Sequence, residues 1–375
     1  MNNFDSMGLS EPLRRALHAE SHHQPTPIQV LAIPPILAGK DVLGTAQTGT
    51  GKTAAFILPV LQRLSVGESQ PRAPRALVLA PTRELAGQIA ERAGAYGRYT
   101  RLTNAVVCGG VSAQKQIAAL NRGPDLLVAT PGRLLDLMAQ RRLRLDRIAY
   151  LVLDEADRML DMGFAPDVRR ILAALPKDRQ SLLFSATMPG PVLKLAAEIL
   201  RAPVRIAVAP AEVVVERIEQ KVFHVERAAK RMLLNGLLAD PALARVLVFT
   251  RTKHGAKRLA MQLAKSGVAT QAIHGDRPQN GRVKALEEFR GGQVRVLVAT
   301  DVAARGIDVP EISHVINYDL PNLAEAYVHR IGRTGRAGAA GIAWSFCEPS
   351  ERGGLNDIER LIRRRLPSER GRLQC

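Results

Sequence analysis

Aromatic side chains are scarce in this chain: Phe, Trp and Tyr together make up 4% of 375 residues, with a single Trp. So few rings argue against a nucleic-acid binder that stacks many bases, and leave backbone contact as the route to such a ligand. Cysteine is equally thin. Cys108, Cys347 and Cys375 are scattered, odd in number and without metal-ligand spacing, which excludes a disulfide framework and fits a reducing cytoplasm. No apolar run approaches the roughly 18 residues that a membrane-spanning helix needs. The start, Met1-Asn2-Asn3-Phe4-Asp5, shows neither region of a signal peptide. Acidic residues are also too few to balance the cations. Lys and Arg number 53 against 35 Asp and Glu, a formal charge of +18 and a pI near 10.6. An excess of that size predicts attraction to polyanions, nucleic acid first among them.

What is present is organised twice over. The length suits two domains. Residues 1–207 alternate apolar strand patterns with helical ones. The strands are expected at Ala76–Ala80, Ala105–Val107, Leu126–Ala129, Leu151–Leu153 and Ser181–Phe184. Near-continuous apolar strands separated by helices mean a parallel sheet covered on both faces. Residues Glu68–Arg75 read as an exposed loop and 208–215 as a linker. Alternation resumes over 216–360, with strands expected at Arg245–Phe249, Ala269–Ile273, Val294–Val298 and His314–Asn317. Residues 361–375 read as a short, mobile basic tail, either a solvated end or an auxiliary RNA contact.

Ala46-Gln47-Thr48-Gly49-Thr50-Gly51-Lys52-Thr53 carries the most specific chemistry. It follows the strand pattern Asp41-Val42-Leu43 and leads into the apolar run Ala54–Leu58. Its glycines let successive backbone N–H groups converge on one point at a helix start, an anion nest. Lys52 adds charge for β- and γ-phosphates, and the Thr53 hydroxyl suits Mg2+. The stretch predicts nucleoside triphosphate binding, although Ala46 stands where the usual pattern has its first glycine.

Asp154-Glu155-Ala156-Asp157 follows the strand pattern Tyr150–Leu153. Carboxylates at the C-terminal end of a parallel strand face the crevice where such folds bind ligands. One can hold a metal ion and its neighbour can orient and deprotonate water. Asp154 is assigned to the metal and Glu155 to the base.

These residues resemble the signature of the DEAD-box RNA helicases of superfamily 2, and further blocks follow in the family's order. Gln24-Pro25-Thr26-Pro27-Ile28-Gln29 resembles the Q motif, with Phe4 upstream at the family's isolated aromatic. Pro81-Thr82-Arg83, Gly109-Gly110 and Thr130-Pro131-Gly132-Arg133 resemble first-domain RNA-binding blocks, and Ser185-Ala186-Thr187 the third motif. Val248-Phe249-Thr250-Arg251, Thr300-Asp301, Ala304–Asp308 and His329–Arg336 resemble the second-domain blocks. The likeness spans roughly residues 4 to 350 and is similar in flavour to the bacterial RhlE-type branch.

The resemblance implies two tandem RecA-like domains of α/β class, ATP and Mg2+ as cofactors, RNA as partner, and a cytoplasmic setting. Ribosome-assembly or RNA-decay proteins are further partners that it allows. It assigns Gln29 to the adenine edge, where an amide offers both donor and acceptor, and Phe4 to base stacking or to core anchoring. It makes Arg333 and Arg336 the arginine fingers, His329 a link to the γ-phosphate, and Asp308 a ribose contact. Ser185 and Thr187 become interdomain couplers. Pro81, Thr82, Arg83, Gly110, Thr130, Arg133, Thr250, Arg251 and Thr300 become contacts to the RNA backbone, which position a strand without reading bases. One local departure stands out: Ser21-His22 replaces the family's common glycine–aromatic pair. Two other readings stay open at this level, a DNA-directed helicase and an ATP-gated RNA clamp that does not unwind.

Overall fold

The computed structural model describes residues 3–47, 49–66, 73–208, 218–277, 279–301, 309, 312–335 and 341–370. The chain divides into two compact units, Met1–Pro210 and Ala211–Cys375.

The first unit holds seven strands: β1 (Val42–Thr45), β2 (Ala76–Leu79), β3 (Asn104–Val107), β4 (Leu126–Ala129), β5 (Tyr150–Leu153), β6 (Gln180–Ser185) and β7 (Val204–Ala207). All pair in parallel, in the order β3-β4-β2-β5-β6-β1-β7. The central strands are buried on both faces because helices cover both, which is why they read as unbroken apolar runs. The helices are α1 (Glu11–Ala19), α2 (Pro27–Leu37), α3 (Lys52–Val66), α4 (Arg83–Tyr96), α5 (Ala113–Asn121), α6 (Pro131–Ala139), α7 (Ala156–Asp161), α8 (Ala165–Ala173) and α9 (Gly190–Ile199). Their inner faces follow helical spacing: α4 buries Leu85, Ile89, Ala93 and Tyr96. One core lies under α2, α3 and α4, and another under α6, α8 and α9.

The second unit holds β8 (Ile218–His224), α10 (Lys230–Leu238), β9 (Val246–Phe249), α11 (Lys253–Lys265), β10 (Thr270–Ile273), α12 (Gln279–Arg290), β11 (Val296–Ala299), β12 (His314–Asn317), α13 (Ala324–Ile331), β13 (Gly341–Cys347), α14 (Arg352–Ile362) and β14 (Ser368–Arg370). Its order, β10-β11-β9-β12-β13-β8-β14, is that of the first sheet with seven added to every label. Each strand of one unit therefore has a topological counterpart in the other.

The ten strands read from the sequence, the pattern at Asp41–Leu43 among them, form within a residue or two of their expected positions. Four strands were not expected: β7, β8, β13 and β14. Three of these lie toward one side of their sheets, where a polar or half-exposed face hides the apolar run; β7 buries only Ile206. The loop at 68–75 and the linker at 208–215 fall largely outside the described residues. The tail is a correction. Residues 368–370 pair with β8 as an edge strand, and Leu366 is buried against Ile218, Val222 and Ile358. The Leu366 N–H donates to Glu359 Oε1 at 2.8 Å, so the segment up to Arg370 is part of the fold.

Leu366→Ala is therefore expected to lower the urea-unfolding stability of the second unit by about 2 kcal/mol. A mobile tail would leave the midpoint within about 0.5 kcal/mol of its starting value.

Candidate functional site

Strand order arranges the first unit's motifs along one sheet edge. Reading the C-terminal ends across the sheet, β3 leads to Gly109-Gly110, β4 to Thr130–Arg133 and β2 to Pro81–Arg83. Then β5 leads to Asp154-Glu155, β6 to Ser185–Thr187 and β1 to the glycine loop. Three adjacent strand ends carry the blocks assigned to RNA, and the next three carry the acidic motif, the block assigned to coupling and the glycine loop assigned to phosphate.

At the phosphate half, Gly49 and Gly51 hold φ of 88° and 89°, conformations that a side chain would disfavour. Thr50 Oγ1 donates to the Gln47 carbonyl at 2.7 Å, closing the turn before α3. Lys52, the first residue of α3, is only 6% exposed, and its Nζ makes no hydrogen bond among the described residues. A buried ammonium without a hydrogen-bonding partner is costly. It sits at a helix N-terminus beside a glycine nest, where a phosphate would satisfy it. Thr53 follows, half-buried. Thr48 lies outside the described residues, and Ala46 is buried.

The acidic motif faces the same place. Asp154 is 2% exposed, and burial pushes its carboxyl up to about 6 despite the opposing charge of Lys52. Its Oδ1 accepts the Glu155 N–H at 2.9 Å. Glu155 adopts a left-handed backbone, φ 52°, the kind of local strain that collects at functional sites. Arg158 Nη1 donates to Glu155 Oε2 at 2.7 Å, with both side chains buried. Sequence reading passed over Arg158; its i,i+3 spacing on α7 was the available signal. Burial works against ionisation of Asp157, but hydrogen bonds from Thr187 and Ser185 outweigh it and hold the carboxyl below its ordinary value. The Thr187 N–H and Oγ1 donate to Asp157 Oδ2 at 2.9 and 2.8 Å, and the Asp157 N–H donates to Ser185 Oγ at 3.1 Å. The structure thus ties Ser185 and Thr187 to the acidic motif.

Gln29 joins α2 to the glycine loop. Its Oε1 accepts the Thr26 N–H at 2.9 Å and its Nε2 donates to the Gly51 carbonyl at 3.1 Å. A Cβ on Gly51 would lie 2.5 Å from that nitrogen, so the position requires glycine. Each end of the amide retains one further bonding position. Phe4 is 4% exposed and lies in the core cluster that includes α2 and α3. At the departure from the family pattern, Ser21 keeps the left-handed backbone that glycine would supply, φ 58°, and His22 packs its ring edge-on against Tyr96.

At the other half, Thr82 caps α4 by accepting the Leu85 N–H, and Arg83 lies over Gly109 and Gly110. Gly110 has φ 75°, and a Cβ there would collide with the Arg83 guanidinium. Buried Gln116 pins this glycine turn. Its Oε1 accepts the Cys108 N–H at 3.1 Å, and its Nε2 donates to the carbonyls of Cys108 and Val111 at 2.9 and 3.3 Å. Pro81 and Thr130 are buried at their strand ends, and the buried Arg133 Nε makes no hydrogen bond among the described residues.

In the second unit, Thr250 and Arg251 follow β9 and Thr300 follows β11, the counterparts of β2 and β4. The RNA-assigned blocks thus leave equivalent strands in both units. Arg330 is buried, gripping Asp301 with two bonds of 2.6 and 2.8 Å, and Arg333 Nε donates to the His329 carbonyl at 3.3 Å. Asp308 and Arg336 lie outside the described residues.

The match to known proteins is extensive. The DEAD/DEAH box helicase family model matches residues 26–195, and the helicase conserved C-terminal domain model matches residues 229–338. The DEAD-box ATP-dependent RNA helicase CshA of Geobacillus kaustophilus is 44% identical over 98% of this chain and 78% of its own length. CshA of Bacillus subtilis is 43% identical over 97% of this chain and 73% of its own length. Among solved structures, S. cerevisiae Dbp5 bound to RNA and ADP BeF3 has a TM-score of 0.89 at 34% identity, covering 99% of this chain and 96% of that one. Mss116p bound to ssRNA and AMP-PNP has a TM-score of 0.87 at 29% identity, covering 98% and 78%.

The Asp157 geometry predicts a pH-dependent mutant effect. A carboxyl held low in the fold contributes stability that is present above its unfolded value, near 3.8, and lost as pH falls through the folded one. Thr187→Val should cost about 1–2 kcal/mol at pH 7. Urea titrations should show the gap to wild type closing below about pH 4; a gap constant with pH would contradict the assignment.

Proposed function

The chain belongs to the DEAD-box ATP-dependent RNA helicases, and on that premise we propose that it hydrolyses ATP with residues from both units and that RNA stimulates the reaction. The buried Lys52, whose Nζ makes no hydrogen bond among the described residues, beside a glycine nest and the acidic motif carries this reading.

In the first unit, Lys52 and the N–H groups of Gln47, Gly49, Thr50 and Gly51 hold the phosphates. Thr53 and Asp154 would hold Mg2+, which neutralises charge on the phosphoryl oxygens. Glu155 orients and deprotonates the attacking water, and Arg158 keeps that carboxylate aimed before ATP arrives. The remaining donor and acceptor of Gln29 read the N6/N7 edge of adenine, and the amide's bond to the Gly51 carbonyl reports base occupancy to the phosphate loop. The second unit supplies Arg333 and Arg336 to the γ-phosphate and Asp308 to the ribose. His329, Ser185 and Thr187 couple the nucleotide to RNA.

RNA contacts come from Thr82, Arg83, Gly110, Thr130 and Arg133 in one unit and Thr250, Arg251 and Thr300 in the other. Hydroxyls, guanidiniums and glycine N–H groups suit phosphate oxygens, so binding is independent of sequence and strand separation is local. Coupling is reciprocal: RNA tightens ATP as much as ATP tightens RNA. Among the described residues no helix is long and apolar enough to cross a membrane, which accords with action in the cytoplasm. As to branch, the relatives compared are CshA helicases, and we place the chain with them in preference to the RhlE-type branch.

Glu155→Gln is expected to leave ATP and RNA affinity within a few-fold of wild type while lowering turnover by at least 100-fold. Single-turnover hydrolysis with RNA, with DNA and with neither checks both parts. Unchanged hydrolysis in the variant would refute the base, and equal stimulation by DNA would favour the DNA-directed reading.

A further inference from the structure

The identical strand orders raise a question about the second unit: what occupies the place that the nucleotide takes in the first? In the first unit that place lies at the ends of β1, β5 and β6, with Lys52 opening α3. The counterparts are the ends of β8, β12 and β13, with Lys230 opening α10. A cavity of about 370 Å3 lies there, lined by Lys230, Asp319 and Glu348. That is within the usual volume of a ligand site, roughly 300–1,000 Å3.

The cavity floor is closed to a triphosphate. Lys230 is 1% exposed, and its Nζ donates to Glu351 Oε2 at 3.0 Å, to Glu348 Oε1 at 3.2 Å and to Asp319 Oδ1 at 3.5 Å. The same carboxylates engage Arg251, through an Asp319 contact to its N–H at 2.9 Å and through Glu351 to its guanidinium. The connection Val225–Ala229 contains no glycine to form a nest. Here the ammonium is satisfied by the protein's own anions, whereas Lys52 makes no hydrogen bond.

The rim is different. Arg227, just ahead of α10, Arg231 in its first turn, and Arg258 on α11 line the same cavity. All three are exposed, and none makes an ion pair or hydrogen bond among the described residues. Their charges converge on the half-buried Tyr318. The cavity continues to Thr250, Arg251 and Thr252. Of the charged groups facing it, Asp319 and Glu348 are bound up with Lys230 and Arg251, which leaves three cations without counter-ions.

We propose that this rim is a further RNA-binding seat, in which Arg227, Arg231 and Arg258 take the phosphodiester backbone of the strand that runs on from Thr250 and Arg251. The inference rests on the reading that those two residues touch RNA. Three free guanidiniums at the mouth suit a chain of phosphates passing over the surface. The carboxylates below exclude a free nucleotide from the depth.

The test is fluorescence-anisotropy binding of a fluorescein-labelled 20-nucleotide single-stranded RNA to the full chain, across a salt series with AMP-PNP and Mg2+ present. The variant is Arg227→Gln/Arg231→Gln/Arg258→Gln, with Arg251→Ala as the reference. Single-strand affinity varies with salt at about 0.7 log per phosphate contact, so the triple variant should lower the slope by about 2. At 0.1 M salt its affinity should fall on the order of 10- to 100-fold. Its melting temperature, ATP affinity and turnover at saturating RNA should be unchanged. Equal affinity and slope would overturn the proposal, and so would weaker binding with an unchanged slope. Lost ATP affinity with RNA binding intact would assign the cavity to nucleotide and overturn it as well. If Arg251→Ala also binds like wild type, the reading of the core RNA contacts fails too; if Arg251→Ala is impaired and the triple variant is not, only the rim seat is lost.

Discussion

The interaction on which the structure depends is one that the first unit by itself leaves unmade. Lys52 places a buried ammonium at the start of α3 without a hydrogen-bond acceptor among the described residues, and beside it Asp154 is held where burial disfavours its charge. Neither arrangement favours folding. Both are explained if the partner is an anionic ligand with its counter-ion, supplied from outside. The neighbouring left-handed Glu155, clasped by Arg158, and the amide of Gln29, fastened to the Gly51 carbonyl, keep the unsatisfied pair in place.

A parallel sheet makes such a site possible because all its strands end on one edge. The order β3-β4-β2-β5-β6-β1 sets the blocks assigned to RNA beside the acidic motif and the glycine loop on that edge. Asp157 links the acidic motif to Ser185 and Thr187 on the neighbouring strand end. The second unit repeats the order but treats the two halves differently. Its β9 and β11 ends still carry hydroxyl and guanidinium groups, whereas its β8, β12 and β13 ends are neutralised around Lys230. One fold thus appears twice, once with the lysine that opens its first sheet-edge helix left without a hydrogen bond among the described residues and once with it bound by carboxylates.

The legible parts of this account are those that local sequence encodes. A glycine–lysine turn between a strand and a helix specifies its own backbone, and Gly49 and Gly51 adopt the positive φ expected of it. Apolar runs such as Leu126–Ala129 announce buried strands because both faces meet helices. What escaped reading depends on how the chain folds back on itself, often between residues distant in sequence. Lys230 meets its carboxylates 89 to 121 positions away, and nothing near it signals that pairing. Gln116 reads as an ordinary helix residue until the fold folds it back onto Cys108. The strand at 368–370 is too short and too polar to declare itself, and it forms because β8 offers an open edge. Phe4 carries no mark in the sequence that separates a stacking ring from a core ring, and its burial shows only in the fold.

The most direct test of the central claim is the melting temperature of Lys52→Met, measured without ligand and with Mg2+ and AMP-PNP. If the ammonium is retained for phosphate at the expense of the fold, the unliganded variant melts above wild type, and the upward shift that the nucleotide gives wild type disappears. A variant that melts lower without ligand, yet still gains the full shift from nucleotide, would contradict the account.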